Sequence, residues 1–446
     1  MALLLVFDLA RHLLLVLLLA GAAFASLPWA ARRLTVASGS PDRAVLLGAL
    51  LLRLPLLPLP PTLSDDVLRY LWDGRVAAAG ENPYRFAPDS PELSPLRDDL
   101  WQRLPHRQIP TVYPPFAVAA FSIAARLPFP ILSWKLLVTG ADLAACAFLL
   151  RLARQLGLPA GRVIGYAWNP LVALEVAGMG HVDVLGVAAS LAAVSFLLAR
   201  RVPSPEGGAE GELRPARPVA AAGALAALGL LAKLAPAAAL PMWSRQSGRP
   251  ALFLAVALSL TAVACLPVVS SLGGVPPGLV TYGVRWEWNG PLFEPLWRAL
   301  NAAGTAPWLA GRLDAFKRWS GEWTRFNFLY PYLYPQFLAK LLLAVLALAA
   351  VGRSLWERDP VAGSGRLFGA LLLASATVYP WYLLWVLPWA ALALHPAWLA
   401  LSASSLLSYL APRLGVPPWP WIWLASWGPF FALLPLALRK RAWSIA

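Results

Sequence analysis

The sequence predicts an all-α integral-membrane protein, a polytopic bundle of transmembrane helices. Of its 446 residues, 59% are hydrophobic and only 13% are charged, whereas soluble domains carry about 25% charged residues. The mean hydropathy of +0.62 points the same way. With this composition, a soluble fold of 446 residues would have too few polar residues to cover its surface. The composition therefore excludes a soluble enzyme, a disordered chain and a secreted disulfide scaffold.

The spans follow from the apolar stretches, since about 20 apolar residues cross a bilayer. Shorter paired runs occupy 218–232 with 235–243 and 367–379 with 382–394, and a single run occupies 397–411. We expect roughly 11 to 13 spans in one domain covering 1–446. The full-length candidates fall near 4–25, 44–60, 131–150, 163–179, 182–199, 250–270, 332–352 and 418–438.

The net charge of +15 is interpreted as a topology signal. The positive-inside rule places six basic linkers in the cytoplasm, which leaves loops 61–130 and 271–330 outside and makes 4–25 an uncleaved first span. Nucleic acid is not a predicted partner, because no basic run alternates with exposed aromatics. The linkers contain Arg32, Arg33 and Arg43; Arg151, Arg154 and Arg162; Arg200, Arg201, Arg214 and Arg217, in a flexible Pro/Gly-rich stretch; Arg245 and Arg249; Arg353, Arg358 and Arg366; and Arg439, Lys440 and Arg441.

The first long loop opens with a predicted helix over 65–79, with Ser64 as its N-cap and Gly80 after its end. Its acidic pair, Asp65 and Asp66, has a structural interpretation, because acids stabilise helix N-termini. Helical spacing places Asp66, Tyr70 and Asp73 on one face and Asp65 with Arg69 on the neighbouring face. Such a cluster beside a membrane favours a general base that accepts a proton from a hydroxyl group.

Further candidate residues lie at predicted span ends and in loops. His181 and Asp183 follow a Gly-Met-Gly turn, and Lys233 lies at the tip of a half-length hairpin. A membrane-end histidine also serves as a structural hydrogen-bonding group, and a lysine also snorkels to the interface. The remaining binding candidates are Tyr84, Arg85, Tyr113, Glu287, Tyr379 and Tyr382, of which the tyrosines also suit an aromatic belt.

These residues form a recognisable pattern. The segment SDD-x2-RYLWDGR-x4-GENPYR, the later Tyr113-Pro114-Pro115 and the C-terminal YPWYLLW run of 379–385 resemble motifs of the GT-C membrane glycosyltransferases. The chain is similar to bacterial polyprenol-phosphate-mannose-dependent mannosyltransferases, such as glycosyltransferase family 87 and the α-1,6-mannopyranosyltransferases. The catalytic subunit of GPI mannosyltransferase I is similar over the same loop.

The resemblance implies an inverting transferase in the inner membrane with an extracytoplasmic site. Asp65 or Asp66 would be the base, and a short surface helix would run from Tyr113 to about Ala125. The donor would be a polyprenyl-phosphate hexose, most naturally mannose, and the acceptor a glycolipid or glycan. No cofactor or metal ligand set is predicted, although His181 and Asp183 leave a divalent metal open, because two ligands do not make a site.

Two other classes of function remain open on the sequence alone. A transporter or flippase for a lipid-linked sugar predicts internal repeats and polar residues near the bilayer midplane. The sequence contains no such repeat, and most of its acids lie in the predicted outer loops. A non-catalytic membrane subunit predicts that Asp65, Asp66 and His181 do not converge on one cavity.

Overall fold

A computed structural model describes residues 8–36, 41–198, 215–439 and 443. These residues form helices and connecting turns without a strand, which confirms the all-α fold class. Within this part of the chain, five helices are long and apolar enough to cross a membrane: Leu13–Arg33, Pro130–Gln155, Pro250–Leu272, Pro335–Ser354 and Trp421–Arg439. The larger predicted number of spans stays a prediction, because the other apolar helices are shorter.

The described residues of the N-terminal half form nine α-helices, of which α3 to α5 belong to the first long loop. Short 3₁₀ turns cover Leu54–Leu56, Pro91–Leu96 and Ala160–Val163, and a π-helical turn covers Leu174–Gly178. The α-helices are α1 (Leu13–Val36), α2 (Pro41–Arg53), α3 (Asp66–Ala78), α4 (Asp99–Gln102), α5 (Pro115–Arg126), α6 (Pro130–Gln155), α7 (Ile164–Ala167), α8 (Pro170–Ala173) and α9 (Asp183–Leu197).

The C-terminal half contains twelve more α-helices in the described residues. Further 3₁₀ turns cover Ala235–Ala239, Asn327–Tyr332, Pro380–Trp385 and Ser405–Tyr409. The α-helices are α10 (Ala216–Ala232), α11 (Leu240–Gln246), α12 (Pro250–Leu272), α13 (Pro277–Arg285), α14 (Phe293–Ala302), α15 (Thr305–Ser320), α16 (Pro335–Ser354), α17 (Pro360–Leu373), α18 (Leu387–Ala393), α19 (Pro396–Ser404), α20 (Leu410–Leu414) and α21 (Trp421–Arg439).

Two of the predicted N-terminal spans differ in position or length. The run 4–25 becomes α1, which starts later and extends to Val36, and residues 4–7 lie outside the described part. The run 44–60 is helical only to Arg53 and then tightens into a 3₁₀ turn, because Pro55 and Pro58 cannot continue an α-helix. Most of the linker predicted as flexible, residues 199–214, also lies outside the described part.

The predicted span 163–179 is wrong as a continuous helix. The chain breaks at Asn169, whose side chain accepts a hydrogen bond from the Leu171 N–H at 3.0 Å, ahead of Pro170 at the first position of α8. The π-helical turn then follows, and Gly180 takes a positive φ of 80°. A hydropathy average does not detect these breaks in the helix. As a result of the breaks, Glu175 and His181 lie on irregular backbone, and both residues are fully buried.

Helix α3 is held in place by close contact with α5. The predicted N-cap, Ser64, is wrong by one residue, because Asp65 occupies the N-cap position. The Ser64 hydroxyl still accepts a hydrogen bond of 3.3 Å from the Asp66 N–H. Gly80, with φ at +87°, follows the end of α3 as predicted. The backbone of α5 lies directly against Gly74, because only a residue without a side chain permits this approach.

A buried ion pair joins α2 to α6. The Arg53 Nε donates to Asp142 Oδ2 at 2.7 Å, and the Tyr166 hydroxyl donates to Asp142 Oδ1 at 2.8 Å. Near the start of α6, Lys135 donates to the carbonyl oxygen of Leu59 at 2.7 Å. Removing one partner of such a pair leaves a buried charge uncompensated, so this cluster fixes how the two helices pack.

The Gly74→Ala substitution is expected to destabilise the protein. An added Cβ at Gly74 collides with the backbone carbonyl of Phe121, and overpacking of this kind costs about 1–3 kcal/mol. That exceeds the ~1 kcal/mol that alanine gains over glycine in a helix. Thermal unfolding in detergent would show a lowered midpoint. Gly140→Ala is the matched control, since nothing lies within 4 Å of an added Cβ there; equal midpoints for both variants would contradict the packing argument.

Candidate active site

A cavity of about 510 Å³ lies where the first long loop meets the C-terminal half. Its volume is that of a small-molecule site. Its walls come from the start of α3, the segment before α5, the end of α10, α13 and the 379–385 segment. Eight of the predicted site residues line it: Asp65, Asp66, Arg69, Tyr113, Asp183, Lys233, Tyr379 and Tyr382.

The two predicted acids lie side by side where α3 begins. Asp65 is exposed, and the Asp66 side chain is 31% exposed. Burial against the cavity wall raises the pKa of Asp66 to about 7, and the neighbouring Asp65 carboxylate adds to the rise. Burial also raises the pKa of Asp65. Asp66 is therefore poised to gain and lose a proton near neutral pH.

Behind Asp66 lies His181, which is fully buried. Its Nδ1 lies 3.7 Å from Asp66 Oδ2, and its Nε2 lies 3.2 Å from Glu175 Oε2. The imidazole stacks on the Trp381 ring at 3.9 Å between centroids. Asp65 and Asp66 line the cavity, whereas His181 lies behind Asp66 and does not line it. Of the three residues whose convergence on one cavity separates an enzyme from a non-catalytic subunit, the structure therefore brings only the two acids to the cavity.

Across the cavity, Lys233 follows the end of α10. Its Nζ lies 3.4 Å from Asp183 Oδ2, and the Trp385 indole donates to Asp183 Oδ1 at 2.9 Å. The same ammonium group lies 5.5 Å from the ring centroids of both Tyr113 and Tyr382. The Lys233 side chain is 25% exposed, so its ammonium group is fixed by Asp183 but still accessible from the cavity. Such a group can neutralise an anion that enters the cavity.

Aromatic rings form one wall of the cavity. Tyr379 and Trp381 stack at 4.4 Å with an interplanar angle of 3°, and Trp288 stacks on the far side of Tyr379 at 5.7 Å. The hydroxyl groups of Tyr282 and Tyr382 are in hydrogen-bond contact. The backbone of Trp288 pairs with the 376–378 segment, which joins loop 271–330 to this wall. Ring faces of this kind suit the apolar faces of a sugar or a lipid chain.

Arg69 and Tyr70 lie beside the acids but are engaged within the protein. Arg69 Nε donates to Asp73 Oδ1 at 2.8 Å, and its Nη2 donates to the carbonyl oxygen of Ile109 at 2.7 Å, so Arg69 anchors the wall of the cavity. Tyr70 is fully buried, stacks on Phe121 and donates to Asp66 at 3.4 Å. The predicted face of Asp66 and Tyr70 is present, whereas Asp73 pairs with Arg69 instead.

Six predicted site residues lie outside the cavity lining: Tyr70, Asp73 and His181, which are described above, and Tyr84, Arg85 and Glu287. Tyr84 is buried, and Arg85 is exposed with its guanidinium over the Phe86 ring. Glu287 forms an ion pair with Lys340 at 2.9 Å. Their contacts are structural, and a binding role for them remains a prediction.

Sequence reasoning missed several residues of the site as candidates. Tyr409 donates to both oxygens of Glu175, at 2.9 and 3.0 Å, from 234 residues away in the chain. Trp381 and Trp385 belonged to the YPWYLLW motif, so their signal was present although only the tyrosines were selected. His106 and Tyr282 line the cavity from segments without a distinguishing pattern.

The fold and the cavity define the class of protein. A helical bundle that places a carboxylate of raised pKa and a partly exposed lysine in one cavity suits group transfer, because a carboxylate can accept a proton and an ammonium group can stabilise a departing anion.

The comparison with known families agrees with this class. Residues 2–247, more than half of the chain, match the family model described as alpha-(1->6)-mannopyranosyltransferase, N-terminal domain. The chain therefore belongs to this family, and it is a membrane glycosyltransferase of the mannosyltransferase type. Neither the curated proteins nor the solved structures contain a match to it.

Proposed function

We propose that this protein is an inverting mannosyltransferase that uses a polyprenyl-phosphate mannose donor. The acceptor is a hydroxyl group of a glycolipid or glycan, and the reaction takes place at the extracytoplasmic face of the inner membrane. The proposal rests on one observation: Asp66 and Lys233 line the same cavity, and the positive charge of Lys233 favours the ionised form of Asp66.

The proposed step needs one base and one cation. Asp66 accepts the proton of the acceptor hydroxyl while that oxygen forms a bond to the anomeric carbon of mannose. The bond between the anomeric carbon and the phosphate oxygen breaks, and the polyprenyl phosphate leaves with the electron pair. Lys233 faces this developing negative charge. Attack from the face opposite the leaving group inverts the anomeric configuration.

The packing of α2 on α6 supports the proposed sidedness. At one end of this pair, Arg154 forms an ion pair with Asp42 at 3.5 Å, beside Arg43. At the other end, Lys135 contacts the carbonyl oxygen of Leu59, a few residues before the acidic pair. The arginine-rich linkers and Asp66 thus lie at opposite ends, and the positive-inside rule assigns the arginine end to the cytoplasm.

The test is an assay of the purified protein in nanodiscs with a panel of polyprenyl-phosphate sugars and glycolipid acceptors. Mass spectrometry of the products would show a mannosylated acceptor and free polyprenyl phosphate, and GDP-mannose would give no product. Reconstituted vesicles that translocate lipid-linked sugar without forming a glycosidic bond would overturn the proposal in favour of a flippase.

The pH dependence follows from the raised pKa of Asp66. A general base must be ionised, so kcat/KM is expected to fall as the pH drops through about 7. An unperturbed aspartate would place this limb near pH 4. The measurement is kcat/KM between pH 5 and 9 at fixed ionic strength. A profile that stays flat down to pH 5 would contradict the role of Asp66 as base.

A further inference from the structure

A line of three side chains extends from Asp66 into the protein interior. Asp66 Oδ2 faces His181 Nδ1 at 3.7 Å, His181 Nε2 faces Glu175 Oε2 at 3.2 Å, and the Tyr409 hydroxyl donates to Glu175 at 2.9 Å. His181 and Glu175 have no exposed surface. The proposed step uses none of the three, yet a buried acid in a membrane protein is costly and usually functional.

The hydrogen-bonding capacities of these groups restrict where the protons lie. A neutral imidazole has one donor nitrogen and one acceptor nitrogen, while an ionised carboxylate only accepts. If both carboxylates were ionised, one nitrogen of His181 would face a carboxylate without a proton between them. A protonated Glu175 can donate to Nε2 across 3.2 Å, which leaves the proton of His181 on Nδ1, directed at Asp66 across 3.7 Å. Tyr409 then donates to the other oxygen of Glu175.

The local backbone holds this arrangement. The His181 N–H donates to the carbonyl oxygen of Glu175 at 3.1 Å, across the irregular backbone that follows the π-helical turn. The Trp134 indole donates to the carbonyl oxygen of Gly180 at 2.7 Å, and Trp381 covers the face of the imidazole. The ring of His181 is therefore fixed in plane and position, as an orienting group for a base requires.

We propose that His181 is a positioning residue, held beside Glu175 and Tyr409, that directs its Nδ1–H at the Asp66 carboxylate 3.7 Å away and so favours its ionised form and its orientation toward the acceptor. The inference rests on the proposed function, because it takes Asp66 as the base. The arrangement resembles the logic of a catalytic triad, in which a third group sets the tautomer of a histidine.

Other charged and titratable groups around Asp66 act on it as well. Asp65 and Asp183 disfavour its ionised form, whereas Lys233 and the Tyr70 hydroxyl favour it. The contact with His181 connects Asp66 to Glu175, whereas Lys233 connects it to the buried Asp183. The remaining titratable groups that face it from neighbouring segments are Glu175, Tyr113, Tyr282, Tyr379 and Tyr409.

The decisive experiment is the pH profile of His181→Phe. Phenylalanine keeps the stacking on Trp381 but removes the N–H that is directed at Asp66, and loss of an interaction that favours the ionised form raises the pKa of a carboxyl group. The acidic limb of kcat/KM is expected to move up by about one pH unit. His181→Gln, which retains an N–H donor, is expected to return part of that shift. A purely structural role would lower the rate at every pH without moving the limb.

Two further substitutions test the protonation of the line. Glu175→Gln keeps a donor to Nε2 and is expected to leave the limb near its original pH, whereas Glu175→Met removes that donor and is expected to move it upward. Tyr409→Phe should cause a smaller upward shift. Tyr166→Phe is its matched control, because Tyr166 also donates to a buried carboxylate, at 2.8 Å, but lies outside the cavity lining.

The outcomes separate this inference from the proposed function. If Asp66→Asn abolishes turnover but folded His181→Phe keeps the limb of the wild type, the positioning role is wrong and the proposed base stands. If Asp66→Asn retains full turnover, the proposed function itself fails. A downward shift of similar size for Glu175→Gln and Glu175→Met would show that Glu175 acts as an anion, because both remove a negative charge near Asp66, and this would overturn the proton arrangement.

Discussion

Replacing Asp66 by asparagine is expected to lower kcat by about a thousandfold, within the range that general-base catalysis supplies. Asparagine keeps the size of the side chain, yet its amide cannot accept the proton of the acceptor hydroxyl. The measurement is the initial rate of mannosyl transfer from a polyprenyl-phosphate donor, together with the binding of that donor, which should change much less.

The control for Asp66→Asn is Asp99→Asn, an exposed acid in the same loop that lies outside the cavity lining. It removes the same charge and is expected to keep wild-type turnover. Asp65→Asn separates the two predicted bases: it should lower the pKa of Asp66 by removing a neighbouring negative charge and shift the acidic limb downward. A folded Asp66→Asn protein with full turnover would exclude Asp66 as base.

Replacing Lys233 by methionine is expected to lower kcat/KM for the donor by at least about a hundredfold, as for loss of one group that stabilises a developing anion. Methionine keeps the length and apolar stem of the side chain but removes the cation from the cavity. Lys233→Arg should recover part of the activity, since it restores the charge with a different geometry.

Loss of Lys233 also leaves Asp183 buried without its ion-pair partner, which by itself destabilises the protein. The double variant Lys233→Met with Asp183→Asn removes that buried charge, and its comparison with Asp183→Asn alone separates the effect of Lys233 from the effect of Asp183 on Asp66. Lys340→Met is the control, because Lys340 pairs with Glu287 outside the cavity lining. Wild-type kcat/KM in the folded double variant would contradict the role of Lys233.

The parts of the site that the sequence predicts are those encoded locally. The spacing of Asp66 and Tyr70 on α3 was confirmed, because helical periodicity acts over a few residues. The short helix that the family resemblance implies from Tyr113 to about Ala125 is present as α5. The convergence of Asp66, Lys233 and Tyr382 on one cavity agrees with the family motifs, although the motifs do not give distances.

The parts that the sequence does not predict depend on long-range packing. Tyr409 reaches Glu175 from a distant apolar stretch that gives no sign of a buried carboxylate partner. The break at Asn169-Pro170 has a local signal, but the apolar content of 163–179 outweighed it in the prediction of a span. A hydropathy average cannot distinguish a lipid-facing helix from buried irregular backbone, because both consist of apolar residues.

Two parts of the chain contribute different kinds of residue to the cavity and the groups behind it. The matched family segment, residues 2–247, supplies the acid, the histidine and the lysine, whereas Tyr282, Trp288 and the 379–385 segment come from beyond it. Chimeras that exchange the chain after residue 247 between homologues would therefore replace the aromatic wall while keeping the groups that we propose to move the proton and meet the phosphate. Such modularity allows the choice of sugar or acceptor to diverge while the chemistry of transfer is retained.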